Sequence, residues 1–469
     1  MKRIKIICSI GPASMDVDVM TSMVQKGMNV ARINFSHATY EQNDEVLRVI
    51  NEVRNRTGQN IGILYDTKGP DFRCGSMKEE GVNLVPGNTI KMVKQEVLGT
   101  EEHFSVNHPE VIDKIGVGAT VLLDDGLFIL KVVNKDDEGI TCEIVSGGVL
   151  TSHKGIAVPG TELDLPFLSD VDIEDIKYAC SHDGDFLALS FVQNKDNILA
   201  VRKLLEENGR SDMQIISKVE SVSAINNLDD IIDFSDGIMV ARGDLGVEIP
   251  IEKLPIVQKE MIKKCRMKEK FVIVATEMLA SMYTSPRPTR AEVTDISNAV
   301  LDGSDAVMLS GETTTGKHPV EAVDYMAKIC KEAEKFDEFA EHFNIIPKDI
   351  TEAIANSVLY TTNNLDIKAI VIPTSGGHSA RVISNLRPKT TILALCPNDR
   401  VVKKLSLNYG IFAKVMNIDH NDMDEVVREC KKQAIEVFKL EKNDKIIITG
   451  GIHEDNNIKQ TNFLKIEEI

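Results

Sequence analysis

The feature that most constrains the fold is an alternation of strand-like and helix-like segments that repeats along most of the chain. Three β-rich apolar segments precede residue 70, five follow residue 158, and a helical pattern comes after each. The predicted strands are residues 4–9, 28–35, 61–66, 185–190, 213–218, 237–241, 271–276 and 305–310. Eight such units predict an α/β fold, a parallel (β/α)8 TIM barrel, although a doubly wound open sheet has the same periodicity.

Two further regions interrupt or follow this alternation. Residues 71–158 contain Val, Ile, Leu and Thr runs separated by turn signals such as Pro86-Gly87, and they predict an inserted all-β domain. A new α/β run begins at about Ile350, and with a boundary at Pro347-Lys348-Asp349 it predicts a separate C-terminal α/β domain, residues 347–469. The barrel domain is therefore expected in two parts, residues 1–70 and 159–346.

Composition excludes several classes of function. The 469 residues carry a net charge of −18, which argues against a general binder of nucleic acid or of anionic membranes. No stretch is long enough to span a membrane. The eight cysteines are scattered without a CxxC pair, as expected for reduced thiols in a cytoplasmic protein.

Residues 214–248 contain two apolar runs that end in charged residues. Lys218 and Glu220 follow the first run, and because residues i and i+2 of a strand share a face, both should point into the same space. Glu220 and Asp244, after the second run, offer hard oxygen ligands that suit Mg²⁺ or Mn²⁺. Lys218 offers a point charge for a phosphoryl oxygen. A salt bridge would explain one such strand end better, but two in succession favour a site.

Polar residues follow other predicted strands as well. The strand ends of a parallel barrel meet at one rim, where active sites lie. Further polar residues expected at this rim are Arg32, Asn34, Ser36, Asp66, Thr67, Lys68, Arg73 and Thr276. Any one could be a polar cap, but six converging ends with cations and carboxylates indicate a shared site. Such groups neutralise the charge of a transferring phosphoryl, so the pattern predicts phosphoryl transfer without a GxxxxGKS loop.

Seven segments carry a resemblance to a known family. They read KIICSIGPAS (5–14), ARINFSH (31–37), YDTKGPDFR (65–73), IISKVES (215–221), SDGIMVARGDLGVEIP (235–250), VATEMLASM (274–282) and SPRPTRAEVTDISNAVLDGSDAVMLSGET (285–313). They are long and cover most of the predicted barrel, and on them the chain resembles the pyruvate kinases. The resemblance is weaker per residue in the inserted and C-terminal domains.

The resemblance implies a phosphotransferase that moves the phosphoryl group of phosphoenolpyruvate to ADP, giving pyruvate and ATP in the last step of glycolysis. The substrate would contact Arg32, Lys218, Gly243, Asp244 and Thr276. Arg32 would hold the phosphate, Lys218 would stabilise the phosphoryl in flight, and these two with Thr276 are the expected catalytic residues. Glu220 and Asp244 would bind Mg²⁺ or Mn²⁺.

The resemblance also implies a K⁺ site, a nucleotide site and a moving lid. The K⁺ ligands would be Asn34, Ser36, Asp66 and Thr67. ADP or ATP would contact Asn34, Phe35, Ser36, His37, Arg73 and Lys154. The inserted domain would close as a lid, bring Lys154 to the nucleotide and exclude water, which limits wasteful hydrolysis.

Two departures from the family pattern concern charge. Asp71 stands where the family usually has Glu, at a position that bears on K⁺ dependence. Because the negative charge is retained, we expect K⁺ activation to be retained. Glu277 stands where the family usually has Gln, and no role is assigned to it.

The C-terminal domain resembles the family's regulatory domain. A loop that follows a predicted strand and opens a helix, an arrangement that binds anions, consists of Thr374, Ser375, Gly376, Gly377, His378 and Ser379. This loop is either the site of a phosphorylated allosteric effector or a plain strand–helix turn, and both interpretations stay open. The family is typically tetrameric, so the resemblance implies a homotetramer, which nothing in the residues shows independently.

Two other functions fit part of the pattern. A metal-dependent aldolase or lyase acting on pyruvate-like enolates needs the metal carboxylates but not Arg73, Lys154 or the lid, so ATP formation discriminates. An inactive paralogue serving as a sensor or scaffold is the third hypothesis. The intact set Arg32, Lys218, Glu220, Asp244 and Thr276 argues against it.

Overall fold

The computed structural model describes residues 1–124, 126–161, 163, 165–336, 346–416, 423–451 and 460–469. The chain begins with three strands and two helices, β1 (Lys5–Ser9), α1 (Val17–Lys26), β2 (Val30–Asn34), α2 (Tyr40–Thr57) and β3 (Gly62–Asp66). The side chain of Asp16 caps α1, and a capping box of Thr39 and Gln42 begins α2. Gly58 ends α2 in the left-handed conformation that glycine adopts without strain.

The chain then forms the inserted domain. Its strands are β4 (Val82–Leu84), β5 (Thr89–Val93), β6 (His103–Ser105), β7 (Thr120–Leu123), β8 (Phe128–Lys135), β9 (Gly139–Ser146), β10 (Gly148–Leu150) and β11 (Ile156–Ala157). They form a six-stranded sheet, β11-β7-β8-β9-β5-β6, and a two-stranded sheet, β10-β4. A short 3₁₀ helix, Pro109–Lys114, was not predicted from the sequence.

Five more strand–helix steps complete the barrel. The strands are β12 (Phe186–Leu189), β13 (Gln214–Val219), β14 (Gly237–Ala241), β15 (Phe271–Ala275) and β16 (Ala306–Leu309). The helices are α3 (Asp170–Ser181), α4 (Lys195–Glu207), α5 (Val222–Asn226), α6 (Leu228–Phe234), α7 (Arg242–Glu248), α8 (Leu254–Met267), α9 (Arg290–Leu301), α10 (Gly311–Thr314) and α11 (Pro319–Ala333), with 3₁₀ turns at Ile251–Lys253 and Ala280–Tyr283.

The eight barrel strands close on themselves. Their order is β1-β16-β15-β14-β13-β12-β3-β2, and every pair is parallel. This confirms the predicted barrel and excludes the doubly wound open sheet. Almost every strand residue is buried because the barrel interior lies on one face and the helices on the other.

The C-terminal domain packs against the amino-terminal end of the barrel. Its elements are α12 (Ile350–Asn364), β17 (Ile367–Pro373), α13 (His378–Asn385), β18 (Ile392–Cys396), α14 (Asp399–Lys404), β19 (Ile411–Val415), α15 (Met423–Phe438), β20 (Lys445–Gly450) and β21 (Phe463–Glu468). The sheet order is β19-β18-β17-β20-β21, and only β21 is antiparallel. Leu407 of this domain belongs to the cluster that fills the barrel interior.

Four barrel strands end one residue earlier than the sequence predicted. Phe35, Ser190, Thr276 and Ser310 were placed in strands, but β2, β12, β15 and β16 each end at the residue before. For Thr276 the reason is local, because its φ of +67° is incompatible with a strand. No helix in the described part of the chain is long and apolar enough to cross a membrane.

Candidate active site

The carboxyl ends of the barrel strands bring four predicted residues into one buried charge network. Arg32 donates from Nε to Asp66 at 2.7 Å. The Lys218 ammonium lies 3.2 Å from Asp66 and 3.0 Å from Glu220. Asp66 and Glu220 are 0% and 1% exposed, and Arg32 is 9% exposed. Two cations and two carboxylates thus meet at the rim from β2, β3 and β13.

The network fixes the charges of Lys218 and Asp66. Burial disfavours the charged form of Lys218, but the carboxylates of Asp66 and Glu220 outweigh burial and raise its pKa above the ordinary value. Burial likewise opposes ionisation of Asp66, yet Arg32 and Lys218 hold its pKa below the usual range. Lys218 is therefore a permanent cation at the rim, as its predicted role requires.

Glu220 and Asp244 form the predicted carboxylate pair. Glu220 accepts a hydrogen bond from the backbone N–H of Phe191 at 2.7 Å. Asp244 does not follow a strand directly but lies in the first turn of α7, where it is exposed. The pKa of Glu220 is raised to about 7. Burial is the largest cause, the charge of Asp244 adds to it, and the charge of Lys218 opposes it. A divalent cation would relieve this repulsion, so the pair fits Mg²⁺ or Mn²⁺.

Protein side chains alone do not complete a metal shell here. No group of three or more His, Cys, Asp or Glu side chains could hold a metal ion among the residues that the structure describes. Two carboxylates fit the usual pattern for Mg²⁺, whose remaining positions belong to water and substrate oxygens.

Thr276 and Gly243 meet beside the carboxylates. The backbone N–H of Gly243 donates to Thr276 Oγ1 at 2.8 Å, and that hydroxyl donates to the carbonyl of Ala275 at 2.6 Å. Thr276 and Glu277 both have positive φ, +67° and +54°, which is strained by roughly 1–3 kcal/mol for each non-glycine residue. An N–H and a hydroxyl side by side can together hold a carboxylate.

The predicted K⁺ residues lie on neighbouring strands. Asn34 and Asp66 are paired in the β2–β3 register, and the N–H of Ser36 donates to the side-chain oxygen of Asn34 at 3.0 Å. Thr67 follows Asp66 directly and is 4% exposed. Both Asp66 oxygens already accept hydrogen bonds from Arg32 and Lys218.

The nucleotide residues do not all reach the same space. Arg73 donates to the carbonyl of His153 at 3.0 Å and to Asp71 at 3.0 Å, so it lies beside the segment between β10 and β11 that carries Lys154. Lys154 itself pairs with Asp124 at 2.9 Å. A cavity of about 440 Å³ between the inserted domain and the barrel rim is lined by Arg73, Gly155, Glu220, Asp244 and Glu248, among others.

The predicted nucleotide residues Phe35 and His37 differ in placement. The Phe35 side chain is 2% exposed and stacks on Tyr65 with 5.3 Å between ring centres, so only its backbone could face a nucleotide. His37 is exposed in the turn after β2. The structure therefore brings His37, but not the Phe35 ring, to the surface near the rim.

The predicted effector loop is a compact turn. The N–H of Gly377 donates to Thr374 Oγ1 at 3.0 Å, and Gly377 has a φ of +82° at the start of α13. Ser379 shares a short hydrogen bond with Thr461. Burial, followed by the charge of Arg381, lowers the pKa of His378 below its ordinary value, so this side chain adds no positive charge near pH 7. Both interpretations of the loop stay open.

Sequence reasoning missed three polar contributors to the rim and the contact made by a fourth residue, Arg242, which it had placed after a strand. Ser9 accepts from Arg32 at 2.7 Å, Ser190 accepts from Lys218 at 2.8 Å, and Phe191 supplies the N–H that binds Glu220. Arg242 donates to the carbonyl of Thr276 at 2.8 Å. Ser9 and Ser190 close the first and fourth predicted strands, so the strand-end pattern could have found them. The contact of Arg242 is long-range and has no local signal.

Comparisons with known proteins agree with this architecture. A family model described as pyruvate kinase, barrel domain, matches residues 1–323, and one described as pyruvate kinase, alpha/beta domain, matches residues 352–467. A pyruvate kinase of Bacillus licheniformis is 43% identical over 475 aligned positions, which cover 99% of this chain and 80% of the relative. One of Geobacillus stearothermophilus is 42% identical and covers 100% of this chain and 80% of the relative.

A solved structure gives the same result in three dimensions. The crystal structure of a pyruvate kinase from Cryptosporidium parvum superimposes with a TM-score of 0.92 at 36% identity. The match covers 100% of this chain and 96% of that one.

Proposed function

The chain belongs to the pyruvate kinase family, and we propose that its barrel rim transfers the phosphoryl group of phosphoenolpyruvate to ADP. The observation that carries the assignment of the site is the buried network in which Lys218 lies between Asp66 and Glu220, beside Arg32. A fixed cation of this kind is suited to a migrating anionic group, because it needs no reorganisation when the negative charge moves.

The substrate is proposed to lie between the charge network and the Thr276 turn. Its phosphate faces Arg32 and Lys218, and its carboxylate faces the N–H of Gly243 and the hydroxyl of Thr276. Glu220 and Asp244 hold Mg²⁺ or Mn²⁺ between them. When bound, such an ion neutralises negative charge on the phosphoryl and enolate oxygens.

The transfer exchanges one phosphorus–oxygen bond for another. A terminal phosphate oxygen of ADP forms the new bond to phosphorus, and the bond from phosphorus to the enol oxygen breaks. The Lys218 ammonium stabilises the phosphoryl between the two oxygens, and Arg32 keeps its oxygens oriented. The released enolate takes up one proton at its methylene carbon and becomes pyruvate.

Nucleotide binding is proposed to involve the inserted domain as a lid. Arg73 and Lys154 lie on adjacent lid segments above the cavity, and Arg73 and Gly155 pair in a β-bridge. Asn34, Ser36, His37 and the backbone of Phe35 would meet the nucleotide from the barrel side. Lid closure would bring the two cations to the ADP phosphates and exclude water from the reacting phosphoryl.

K⁺ is proposed as the second ion, held by Asn34, Ser36, Asp66 and Thr67. Asp71 retains the charge usual at its position and pairs with Arg73 at 3.0 Å. We expect the rate in K⁺ to exceed the rate in a large, weakly coordinating cation at the same ionic strength. Equal rates in the two salts would remove the K⁺ assignment.

Formation of ATP tests the function against its alternatives. The purified chain is mixed with phosphoenolpyruvate, ADP, Mg²⁺ and K⁺, and ATP and pyruvate are measured separately. We expect the two products in equal amounts. Formation of pyruvate without ATP would favour an aldolase or lyase. The absence of turnover under any combination of cations would favour an inactive paralogue.

Regulation, assembly and location are further parts of the proposal. The loop Thr374–Ser379 would bind a phosphorylated effector in a homotetramer, and titrating sugar phosphates against the cooperativity of phosphoenolpyruvate tests this. Unchanged cooperativity with every sugar phosphate would leave the loop as a structural turn. The eight cysteines are all buried and unpaired, which supports a reducing cytoplasmic location.

A further inference from the structure

The strained turn after β15 needs a structural cause. Thr276 and Glu277 adopt φ values of +67° and +54° in succession. The left-handed region is uncommon for any non-glycine residue and is a genuine outlier for a β-branched one such as threonine. Such conformations persist only where surrounding contacts over-determine them, and they cluster at functional sites.

Arg242 makes the contacts that hold this turn. Its Nε donates to the carbonyl of Ala275 at 3.3 Å, and its Nη2 donates to the carbonyl of Thr276 at 2.8 Å. Its Nη1 binds Asp295 of α9 at 2.7 Å, and Nη2 also lies 2.9 Å from the sulfur of Met278. The rigid guanidinium fork thus spans two consecutive carbonyls, which a lysine cannot do.

The same contacts affect the Thr276 hydroxyl. That hydroxyl donates to the carbonyl of Ala275 at 2.6 Å and accepts from the N–H of Gly243 at 2.8 Å. It can donate to a substrate carboxylate only by turning its proton away from Ala275. The Ala275 carbonyl then keeps the hydrogen bond from Arg242, so no buried acceptor is left unpaired.

We propose that Arg242 is a positioning residue for the transfer reaction, holding the Thr276–Glu277 turn so that the Thr276 hydroxyl, which accepts from the Gly243 N–H, faces the substrate carboxylate. This inference rests on the proposed function of the rim. Arg242 does not touch the substrate; it acts through Thr276, and Asp295 keeps its guanidinium in place.

Arg242→Lys tests the proposal, and the chain offers a matched control. Arg210 also donates to two backbone carbonyls, those of Cys180 and Gly184, and its Nε pairs with Asp212 at 3.1 Å. The Arg210 and Arg242 side chains are similarly buried, 11% and 10% exposed, but Arg210 lies at the opposite end of the barrel. Arg210→Lys therefore measures how much stability is lost when an arginine that bridges two backbone carbonyls is replaced.

Two measurements separate positioning from stability. One is the affinity for oxalate with Mg²⁺ by calorimetry, because oxalate is planar and presents a carboxylate next to a further oxygen, as the enolate of pyruvate does. The other is kcat/KM for phosphoenolpyruvate at saturating ADP. We expect Arg242→Lys to lower both by about 10–100-fold, with KM for ADP little changed. Arg210→Lys is expected to stay within about threefold while lowering the thermal midpoint to a similar extent.

A double-mutant cycle shows whether Arg242 acts through Thr276. If it does, Arg242→Lys combined with Thr276→Ala loses no more oxalate affinity than the worse single variant. The proposal would be overturned if the double variant lost oxalate affinity by the product of the two single losses. It would also be overturned if Arg242→Lys and Arg210→Lys had the same oxalate affinity and kcat/KM. Oxalate binding does not require ATP formation, so a chain that makes no ATP counts against the proposed function alone.

Asp295→Asn keeps the test decisive if Arg242→Lys does not fold. It preserves every donor of Arg242 and removes only the charge that orients it. We expect oxalate affinity to fall by about threefold or more, and an unchanged affinity contradicts the positioning role.

Discussion

At the scale of single residues, Asp185 makes the stability of the barrel depend on pH. It is 5% exposed, and its carboxylate accepts a hydrogen bond from the N–H of Ile63 at 2.9 Å. Burial raises the pKa of Asp185 to about 7, although this hydrogen bond opposes the shift. The folded chain therefore holds a proton here that the unfolded chain releases near pH 4.

This difference predicts how stability changes with pH. The contribution of Asp185 to the free energy of unfolding is fully present below pH 4 and is lost as the pH rises through about 7. The reason is that the folded state binds more protons than the unfolded state between these two pH values. Asp185→Asn cannot titrate. Urea unfolding of both chains at pH 4.5 and pH 8 should show the variant gaining roughly 1–4 kcal/mol relative to the unmodified chain at the higher pH. A difference that does not vary with pH contradicts the assignment.

Residues were predictable where the signal was local. Lys218 and Glu220 share a strand face by their spacing, and the structure places their charged atoms 3.0 Å apart. The contacts of Arg242 could not be predicted, because Ala275 and Asp295 lie more than thirty residues away in sequence. The left-handed turn at Thr276 was missed for the same reason: the contacts that hold it are tertiary.

At the scale of elements, the inserted domain has its own sheets and its own buried cluster. The buried residues of this cluster all lie between Phe72 and Val158, and Phe104 and Leu130 are among them. The barrel clusters contain no residue of the inserted strands. The β-bridge between Arg73 and Gly155 places the two ends of the insertion side by side.

Removal of the lid should therefore separate binding from transfer. We expect a chain in which a short Gly/Ser linker replaces residues 71–158 to keep the barrel fold and bind oxalate with Mg²⁺. It should lose ATP formation by at least about 10³-fold, because Arg73, Lys154 and the exclusion of water are lost together. Circular dichroism and calorimetry verify the barrel, and ATP formation near the rate of the full chain would rule out the lid's role.

Elements were predictable where the alternation of strand-like and helix-like segments continued along a large part of the chain. All eight barrel strands were found from sequence, and their number favoured a closed TIM barrel, but only the structure excludes an open sheet. The position of Asp244 in α7 rather than at a strand end was not predicted, since a turn of helix directly after β14 carries no separate signal. The domain boundaries at residues 71, 159 and 347 remain predictions.

At the scale of the whole molecule, Arg387 is one of several residues that join the C-terminal domain to the barrel. Arg387 donates to Asp305 at 2.9 Å and lies over the ring of Tyr409 at 4.5 Å. Both charged side chains are below 10% exposed. The docking of the two domains had no signal in the sequence, because Leu407 and Arg387 belong to no periodic pattern that points at the barrel.

Arg387→Ala should weaken this junction. Removing one partner leaves the Asp305 carboxylate buried without its countercharge, which costs about 3–5 kcal/mol. A fall in the thermal midpoint of the full chain measures the loss. Arg48→Ala, at a surface pair whose arginine side chain is 59% exposed, is the control and should cost less than about 1 kcal/mol. Similar midpoints for the two variants contradict a structural role of the junction.

The central claim is that Lys218, held between Asp66 and Glu220, stabilises the phosphoryl group during transfer. The most direct measurement follows labelled phosphate from phosphoenolpyruvate to ADP in the unmodified chain and in Lys218→Met. We predict transfer by the unmodified chain and a loss of at least about 10²–10³ in turnover for the variant, with substrate binding less affected. Turnover within a few-fold of the unmodified chain would contradict the role given to Lys218.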